Sequence, residues 1–287
     1  MGEDRWAAWL LSRRDGGDAG VRQRYAPMLH ALRDAVLDGA QVAADDVVLD
    51  VGAGDGLIAF GALERGADVV FSDVSQELLD VCRSGAADVL DRCRFVRASA
   101  DDLIGVADGS VDVVTTRSVL IYVQRKAAAF AEFFRVLRPG GRLSIFEPIN
   151  SFAALHGGFD LFGLDLSPVA DLVQRLRDKY ADEEALVGFD ERHLLLGARS
   201  AGFTAIELDY RVEWDVPEPV PRDWEALLNT APNPLAPTYA EAMAATLTVE
   251  ECAELTGHIR GLVEAGTPAR RTSATAYLRA VRPGDRS

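Results

Sequence analysis

The chain has 287 residues, and its 30 basic and 45 acidic side chains give it a formal net charge of −15. Apolar residues make up 48% and charged residues 26%, which is typical of a globular protein and not of a disordered one. Proteins that bind nucleic-acid backbones or anionic membranes present basic surfaces, so this acidity argues against both kinds of partner. The length accommodates one elaborated α/β domain or two smaller domains.

The cysteines and the N-terminal sequence indicate where the protein works. Cys82, Cys93 and Cys252 are an odd number without C-x-x-C spacing, which argues against a disulfide framework and a structural zinc site. The N-terminus lacks the features of a signal peptide, and no apolar run approaches the roughly 18 residues that span a bilayer. No pair of histidines or carboxylates has a spacing that specifies a metal. We therefore expect a cytoplasmic protein with no membrane partner and no bound metal.

Hydrophobic periodicity predicts helices before residue 45 and alternating strands and helices after it. Residues 19–40 are mainly helical in pattern, with a kink or break expected at Pro27. Short apolar runs, typical of strands buried on both faces, predict strands at residues 47–51, 68–72, 94–98, 111–116 and 142–147. A helix capped by Asp190 and two later strands, at residues 206–214 and 272–281, complete the pattern.

Such alternation predicts an α/β fold, a doubly wound sheet with helices on both faces. Residues 148–189 and 216–271 interrupt the pattern, and the second stretch contains a helix that begins at a capping box of Thr248 and Glu251. We interpret both stretches as helical lid insertions over the carboxyl edge of the sheet, not as independent domains. The predicted organisation is an N-terminal helical cover, residues 1–44, and a main domain, residues 45–287.

The most informative segment is a glycine-rich loop between a buried strand and a helix. Glycines in such a loop let the backbone approach a ligand closely at a helix N-terminus and a sheet edge. The spacing is G-x-G-x-G, which differs from the G-x-G-x-x-G of nicotinamide and flavin sites. The acidic residue before the first glycine is suited to an ammonium group, directly or through water. The candidate binding residues here are Asp50, Gly52, Ala53, Gly54 and Gly56.

Two further features follow the next strands. Asp73 ends the second strand, where a carboxylate accepts hydrogen bonds from both hydroxyls of a ribose, and Val74 offers a surface for an adenine face. After the third strand, Ser99, Ala100 and Asp101 offer a side-chain acceptor for an exocyclic amine and a backbone N–H for a ring nitrogen. Together with the loop, these features accommodate an amino-acid end, a ribose and an adenine, in that order.

This arrangement resembles the class I S-adenosylmethionine-dependent methyltransferases over roughly residues 45–150. The matching segments are the glycine-rich loop with its strand, Asp73, residues 99–101, residues 109–114 and residues 135–141. The family often has Asp where Ser99 stands, which leaves the amine contact to Ser99, Asp101 or the backbone. The resemblance implies a Rossmann-like seven-stranded sheet of order 3-2-1-4-5-7-6 with strand 7 antiparallel. It also implies S-adenosyl-L-methionine as cofactor and S-adenosyl-L-homocysteine as product.

In this family the methyl group moves by in-line displacement, for which the enzyme supplies alignment and sometimes a base. Glu147, Tyr122 and His156 are the candidate catalytic residues, since the first two follow strand ends and the third lies in the first lid. Arg117 is assigned to cofactor binding at the end of the fourth strand, and Ser118 beside it is an acceptor-side candidate. The block that these two begin faintly resembles the quinone C-methyltransferases, but it is too short to transfer a substrate.

The leading hypothesis is methyl transfer to O, N or C of a small-molecule acceptor, in specialised (natural-product) metabolism, by a monomer or homodimer. Two lids and a helical cover suit an enclosed pocket for a compact acceptor. The alternative is a protein of the same fold that uses the bound cofactor structurally, as a cyclase or binding protein. A nicotinamide-dependent oxidoreductase is a third and weaker hypothesis.

Overall fold

The structure is a computed structural model that describes residues 4–155, 163–180, 188–218 and 224–284. In chain order, strands β1 to β7 of the described residues are Val47–Val51, Asp68–Asp73, Cys93–Arg97, Val111–Arg117, Leu137–Pro148, Thr204–Glu218 and Ala269–Val281. They form one sheet of order β3-β2-β1-β4-β5-β7-β6, which confirms the predicted order. β7 is antiparallel to β5, as predicted, and β1 to β5 pair in parallel. The fold is therefore the Rossmann-like one.

The α-helices of the described residues, α1 to α11 in chain order, are Arg5–Ala8, Ala19–Gly39, Leu57–Glu64, Gln76–Gly85, Lys126–Val136, Asn150–Leu155, Ala170–Tyr180, Glu191–Ala201, Trp224–Leu228, Tyr239–Thr246 and Val249–Glu264. The capping signals found in the sequence act as expected. Asp190 caps α8, and Thr248 forms a capping box with Glu251 at the start of α11. Pro27 neither breaks nor divides α2, which continues through it. Proline removes only its own backbone donor, so the remaining helical bonds carry α2 past this residue.

The central strands are continuous apolar runs in the sequence because their side chains are buried. Leu49 in β1 pairs in parallel with Val70 of β2 on one side and Val114 of β4 on the other. All three side chains are buried, because a parallel sheet is covered on both faces. The strands that differ most from their predictions are β5, which begins at Leu137 and not at residue 142, and β6, which covers Thr204–Glu218 and not only residues 206–214.

The chain divides into two compact units. The first, called here the sheet unit, comprises the described residues of Ala26–Ile149, Phe189–Arg211 and Thr275–Ser287. A core cluster of this unit packs α2 and α3 against the sheet, through buried residues such as Val36, Leu37, Ile58, Val69 and Phe71. Residues 26–44 therefore belong with the sheet and not with the N-terminal cover in which they were predicted, because α2 contributes core side chains here.

The second, called here the helical unit, comprises the described residues of Met1–Tyr25, Asn150–Gly188 and Val212–Ala274. It has a hydrophobic core of its own, formed by residues such as Leu176, Trp224, Met243, Leu255 and Ile259. The described residues of the two insertions thus share one core, and those of the first 25 residues belong to the same unit, which goes beyond the separate lids expected from the sequence. No helix in the described parts of the chain is both long enough and apolar enough to cross a membrane.

Side chains far apart in sequence tie the N-terminal segment into the helical unit. The indole Nε1–H of Trp9 donates to the carbonyl of Ala231 at 2.9 Å, and the backbone N–H of Ala231 donates to the carbonyl of Arg13 at 2.8 Å. Gly16 lies so close to Ala226 that a Cβ on Gly16 would be 2.0 Å from the carbonyl oxygen of Ala226. The segment is therefore an integral part of this unit.

Candidate functional site

The glycine-rich loop, residues 52–56, connects β1 to α3 at the carboxyl edge of the sheet. The backbone N–H groups of Gly52 and Ala53 both donate to the carbonyl of Ser72 in β2, at 2.7 and 2.9 Å. Gly52 has a φ of +68°, and a Cβ there would lie 2.4 Å from Cγ2 of Val119. A side chain would need a left-handed backbone and a displaced Val119, so this position requires glycine.

Asp73, the last residue of β2, binds the loop to the turn that follows. Its Oδ2 accepts from the N–H of Gly54 and its Oδ1 from the N–H of Ser75, both at 2.9 Å. Each carboxylate oxygen offers two lone pairs, so an oxygen that accepts one N–H can also accept from a second donor. The next side chain, Val74, is apolar and 43% exposed. A carboxylate suited to ribose hydroxyls and an apolar surface suited to a base thus stand side by side.

Asp50 lies in β1 and is 2% exposed. The hydroxyl of Thr115 in β4 donates to its Oδ1 at 2.8 Å, and Ala59 in α3 contributes a backbone hydrogen bond. Burial raises the pKa of Asp50 to about 7, against the opposing effects of these bonds and of nearby Arg117. Asp50 therefore ties β1, β4 and α3 together behind the glycine-rich loop. Because Asp50 is buried behind the loop, its carboxylate is better placed to act on a bound ammonium group through its charge or through a water molecule. A direct contact is less favoured.

The segment after β3 forms a tight turn in which Ser99 and Asp102 make an isolated antiparallel bridge. The Ser99 hydroxyl donates to Oδ1 of Asp101, and the Nε–H of Arg125 donates to Oδ2 of Asp101 at 2.8 Å. The hydrogen bond from Ser99, together with Arg125, lowers the pKa of Asp101. Each oxygen of Asp101 accepts one of these bonds and has a second lone pair, so Ser99, Asp101 and the backbone all stay candidates for the acceptor of an exocyclic amine. Ala100 is buried within the turn.

Glu147, near the end of β5, is fully buried. Its Oε1 accepts from the N–H groups of Val119 and Leu120, both at 2.8 Å, and its Oε2 accepts from Ile121 at 3.2 Å. Burial raises its pKa to about 7, while these three bonds and the charge of Lys126 act in the opposite direction. A carboxylate enclosed in this way is well placed to hold the segment after β4. This setting disfavours the role of a base that was predicted from the sequence.

The remaining candidates occupy different settings. Arg117, at the end of β4, is partly buried, and its charge acts to lower the pKa of Asp50. Ser118 has a φ of +56° and donates its backbone N–H to the carbonyl of Phe146 at 2.9 Å. Tyr122 ends a short 3-10 turn and is partly exposed. His156 lies outside the described residues.

Sequence reasoning missed several residues of this site. Val119 contacts the glycine-rich loop, Thr115 bonds Asp50, Arg125 holds Asp101, and Lys126 lies near Glu147. Each of these contacts joins residues that are far apart in the chain, and no spacing pattern indicates them. Within the described residues, no group of three or more His, Cys, Asp or Glu side chains could hold a metal ion.

These residues fit an adenosyl ligand that carries an amino-acid end. The three glycines of the loop have positive φ and no side chains that would cover the backbone, Asp73 is a carboxylate suited to ribose hydroxyls, and Val74 exposes an apolar face. Ser99 adds a polar group for the base edge. The candidate residues lie at the carboxyl ends of β1 and β2, where ligands bind in open α/β sheets as a general rule.

Comparison with known proteins agrees with this fit. Residues 49–145 match the family model described as a methyltransferase domain. The chain is 34% identical over 183 residues to the ubiquinone/menaquinone biosynthesis C-methyltransferase UbiE of Dinoroseobacter shibae, covering 61% of this chain and 73% of that protein. The chain belongs to the class I S-adenosylmethionine-dependent methyltransferases. It is a methyltransferase whose methyl donor is S-adenosyl-L-methionine.

Two further similarities are more limited. The tRNA 5-carboxymethoxyuridine methyltransferase of Escherichia coli is 33% identical over 100 residues, which are 34% of this chain and 38% of that protein. A solved structure of Haemonchus contortus phosphoethanolamine N-methyltransferase 2 in complex with S-adenosyl-L-methionine superposes with a TM-score of 0.53. It is 17% identical and covers 97% of this chain and 56% of that one, and this likeness shows the shared fold.

Proposed function

We propose that this enzyme transfers a methyl group from S-adenosyl-L-methionine to a small-molecule acceptor. The supporting observation is the extent of the match to the quinone-pathway methyltransferase, which spans 73% of that protein, against 38% of the tRNA enzyme. The formal charge of −15 also favours a small acceptor over a nucleic acid, because an RNA backbone would be repelled. Specialised metabolism is the setting we propose for this reaction.

The cofactor supplies an activated methyl group on a sulfonium centre. The residues of the chain bind the cofactor and orient it. Asp73 accepts from the ribose hydroxyls, Val74 packs on the adenine, and a polar group of the turn after β3 accepts from the exocyclic amine. The charges of Asp50 and Arg117 act on the amino-acid end, where one favours the ammonium group and the other the carboxylate.

We propose that catalysis depends mainly on proximity and alignment. Of the three predicted catalytic residues, Glu147 accepts from three backbone N–H groups, which supports a structural role for it over that of a base. Tyr122, which lies within the described residues, remains a candidate for a side chain near the acceptor. His156, which lies outside them, remains a candidate from the sequence alone. A general base is not needed where the acceptor atom is already nucleophilic at neutral pH.

We propose that the helical unit selects the acceptor. The chain passes from the sheet unit into the helical unit after β5 and finally returns within β7, where Thr275 pairs with Pro148. Residues 150–188 and 212–274 lie outside the segment matched by the family model. Acceptor recognition is the property that varies most among enzymes with a common cofactor site, and inserted segments carry it in many folds.

Methyl-labelled cofactor tests this proposal. The purified enzyme is incubated with the labelled cofactor and cell extract divided into a small-molecule fraction, a total tRNA fraction and a protein fraction. We expect label in an extractable small molecule, and an Asp73→Ala variant should lower that label. Label confined to RNA would overturn the proposed acceptor class. Label in none of the fractions, from enzyme that binds the cofactor, would favour structural use of the cofactor.

A further inference from the structure

A buried carboxylate outside the ligand-binding residues contacts three successive backbone N–H groups. Glu147 of β5 accepts from Val119, Leu120 and Ile121, which lie 28, 27 and 26 residues away in the chain. Successive N–H groups that converge in this way form an anion-binding concavity, and here the anion is the protein's own side chain. The segment they belong to, residues 118–122, is called here the β4 turn.

The β4 turn is also fixed at its start. Ser118 has a left-handed backbone, with φ +56°, and its N–H donates to the carbonyl of Phe146, the neighbour of Glu147 in β5. A left-handed conformation is unfavourable for a residue with a Cβ, so it persists only where surrounding bonds hold it. Together these bonds tie the turn to the end of β5 at four successive backbone N–H groups.

The β4 turn in turn contacts the glycine-rich loop. Val119 lies so close to Gly52 that a Cβ on that glycine would be 2.4 Å from Cγ2 of Val119. The N–H of Gly52 donates to Ser72, so this glycine is held between β2 on one side and Val119 on the other. A displacement of the β4 turn would therefore open one side of the loop that receives the amino-acid end of the cofactor.

Charge and burial at Glu147 agree with a supporting role. The side chain is fully buried, and the charged group that acts on it is Lys126 in α5. The Lys126 ammonium donates to the carbonyl of Val123 at 2.7 Å and lies 5.1 Å from the ring centroid of Phe189.

We propose that Glu147 is a positioning residue for cofactor binding: through the β4 turn and Val119 it holds the glycine-rich loop in the conformation that receives S-adenosyl-L-methionine. This inference rests on the proposed function, since it concerns the same cofactor site. It assigns Glu147 an effect on cofactor affinity that is independent of the acceptor. A base would instead affect only turnover.

The test compares three variants by calorimetric titration with S-adenosyl-L-homocysteine, at a temperature well below every unfolding midpoint. Glu147→Gln keeps the size of the side chain but replaces one accepting oxygen with an amide N–H₂ that faces a backbone N–H, so the dissociation constant should rise about tenfold or more. Val119→Ala removes the contact with Gly52 and should weaken binding in the same direction. The double variant should bind no more weakly than Glu147→Gln alone, because both changes act through one contact.

Asp112 provides the matched control. It is also a buried carboxylate that accepts a backbone N–H, from Val47 at 2.8 Å, and pairs with Arg138, but it lies at the start of β4, the opposite end of the sheet. Asp112→Asn should lower the unfolding midpoint and leave the dissociation constant unchanged. Where Glu147→Gln fails to fold, Glu147→Asp serves instead, since its shorter carboxylate can reach only part of the turn.

The outcomes separate the inference from the proposed function. Wild-type protein that fails to bind S-adenosyl-L-homocysteine would contradict the proposed function itself. Wild-type binding with an unchanged constant in Glu147→Gln would overturn only the inference. Equal weakening in Asp112→Asn would also overturn it, because the effect would then be a general loss of rigidity. Additive effects in the double variant would exclude Val119 as the route.

Discussion

Substitution of Gly52 by alanine tests the geometry of the glycine-rich loop most directly. Two separate costs are expected, since the residue has a φ of +68° and its new Cβ would lie 2.4 Å from Cγ2 of Val119. The left-handed backbone costs an alanine roughly 1–2 kcal/mol. Overpacking of a tight contact adds about 1–3 kcal/mol. The sum, about 2–5 kcal/mol, is a large share of the roughly 5–15 kcal/mol that stabilises a typical folded protein.

Gly140 separates these two costs. It has a φ of +81°, yet nothing lies within 4 Å of the place where its Cβ would stand. Gly140→Ala should therefore show only the backbone cost, roughly 1–2 kcal/mol. Gly52→Ala with Val119→Ala should recover much of the steric cost, because the contacting methyl group is removed.

Thermal unfolding and calorimetry measure both effects. Gly52→Ala should lower the unfolding midpoint by about 5–15 °C, and Gly140→Ala by only a few degrees. The affinity for S-adenosyl-L-homocysteine should fall about tenfold or more in Gly52→Ala, since the loop must move. Equal midpoints for the two single variants, or no recovery in the double variant, would refute the reasoning from the contact with Val119.

Three further predictions follow from the site and the core. Asp73→Ala should weaken binding of S-adenosyl-L-homocysteine about tenfold or more, and unchanged calorimetric affinity would exclude the ribose role. Because the pKa of Asp50 is raised to about 7, the folded state keeps a proton that the unfolded state releases between about pH 4 and 7, so stability falls as the pH rises. Urea denaturation at pH 5.5 and 7.5 measures this effect. Between these two pH values the free energy of unfolding of Asp50→Asn should fall by about 2 kcal/mol less than that of the wild type, and equal falls would contradict the prediction. Leu255→Ala should destabilise the helical unit by roughly 2–5 kcal/mol without changing cofactor affinity; weaker binding would show that this core supports the cofactor site.

Most of the sheet could be predicted because its signals are local. The strand around Leu49 is a short apolar run, and the helix start at Asp190 has its capping residues within one turn. The class of ligand was also predictable, since the G-x-G-x-G loop and Asp73 follow consecutive strands whose carboxyl ends meet at one edge. These features depend on residues close in sequence or on a general rule of topology.

The supporting contacts of the site could not be predicted in the same way. Glu147 looked like a base because it ends a strand, but its partners are backbone N–H groups 26 to 28 residues earlier, which have no sequence signature. Arg125 reaches Asp101 across 24 residues and shows no periodicity that would reveal it. The core shared by the two insertions was missed for the same reason, because two segments far apart in the chain supply it.

The discontinuous make-up of the helical unit has a consequence for the order of folding. During synthesis, the residues that bond Trp9 and Arg13 emerge more than 200 positions later, at Ala231. Closing so long a loop is entropically unfavourable until other structure has brought its ends together. The sheet core around Phe71 should therefore form first, and the helical unit should be the last part to gain protection from hydrogen exchange. The N-terminal segment would remain without its native partners for most of the time the ribosome needs to make the chain.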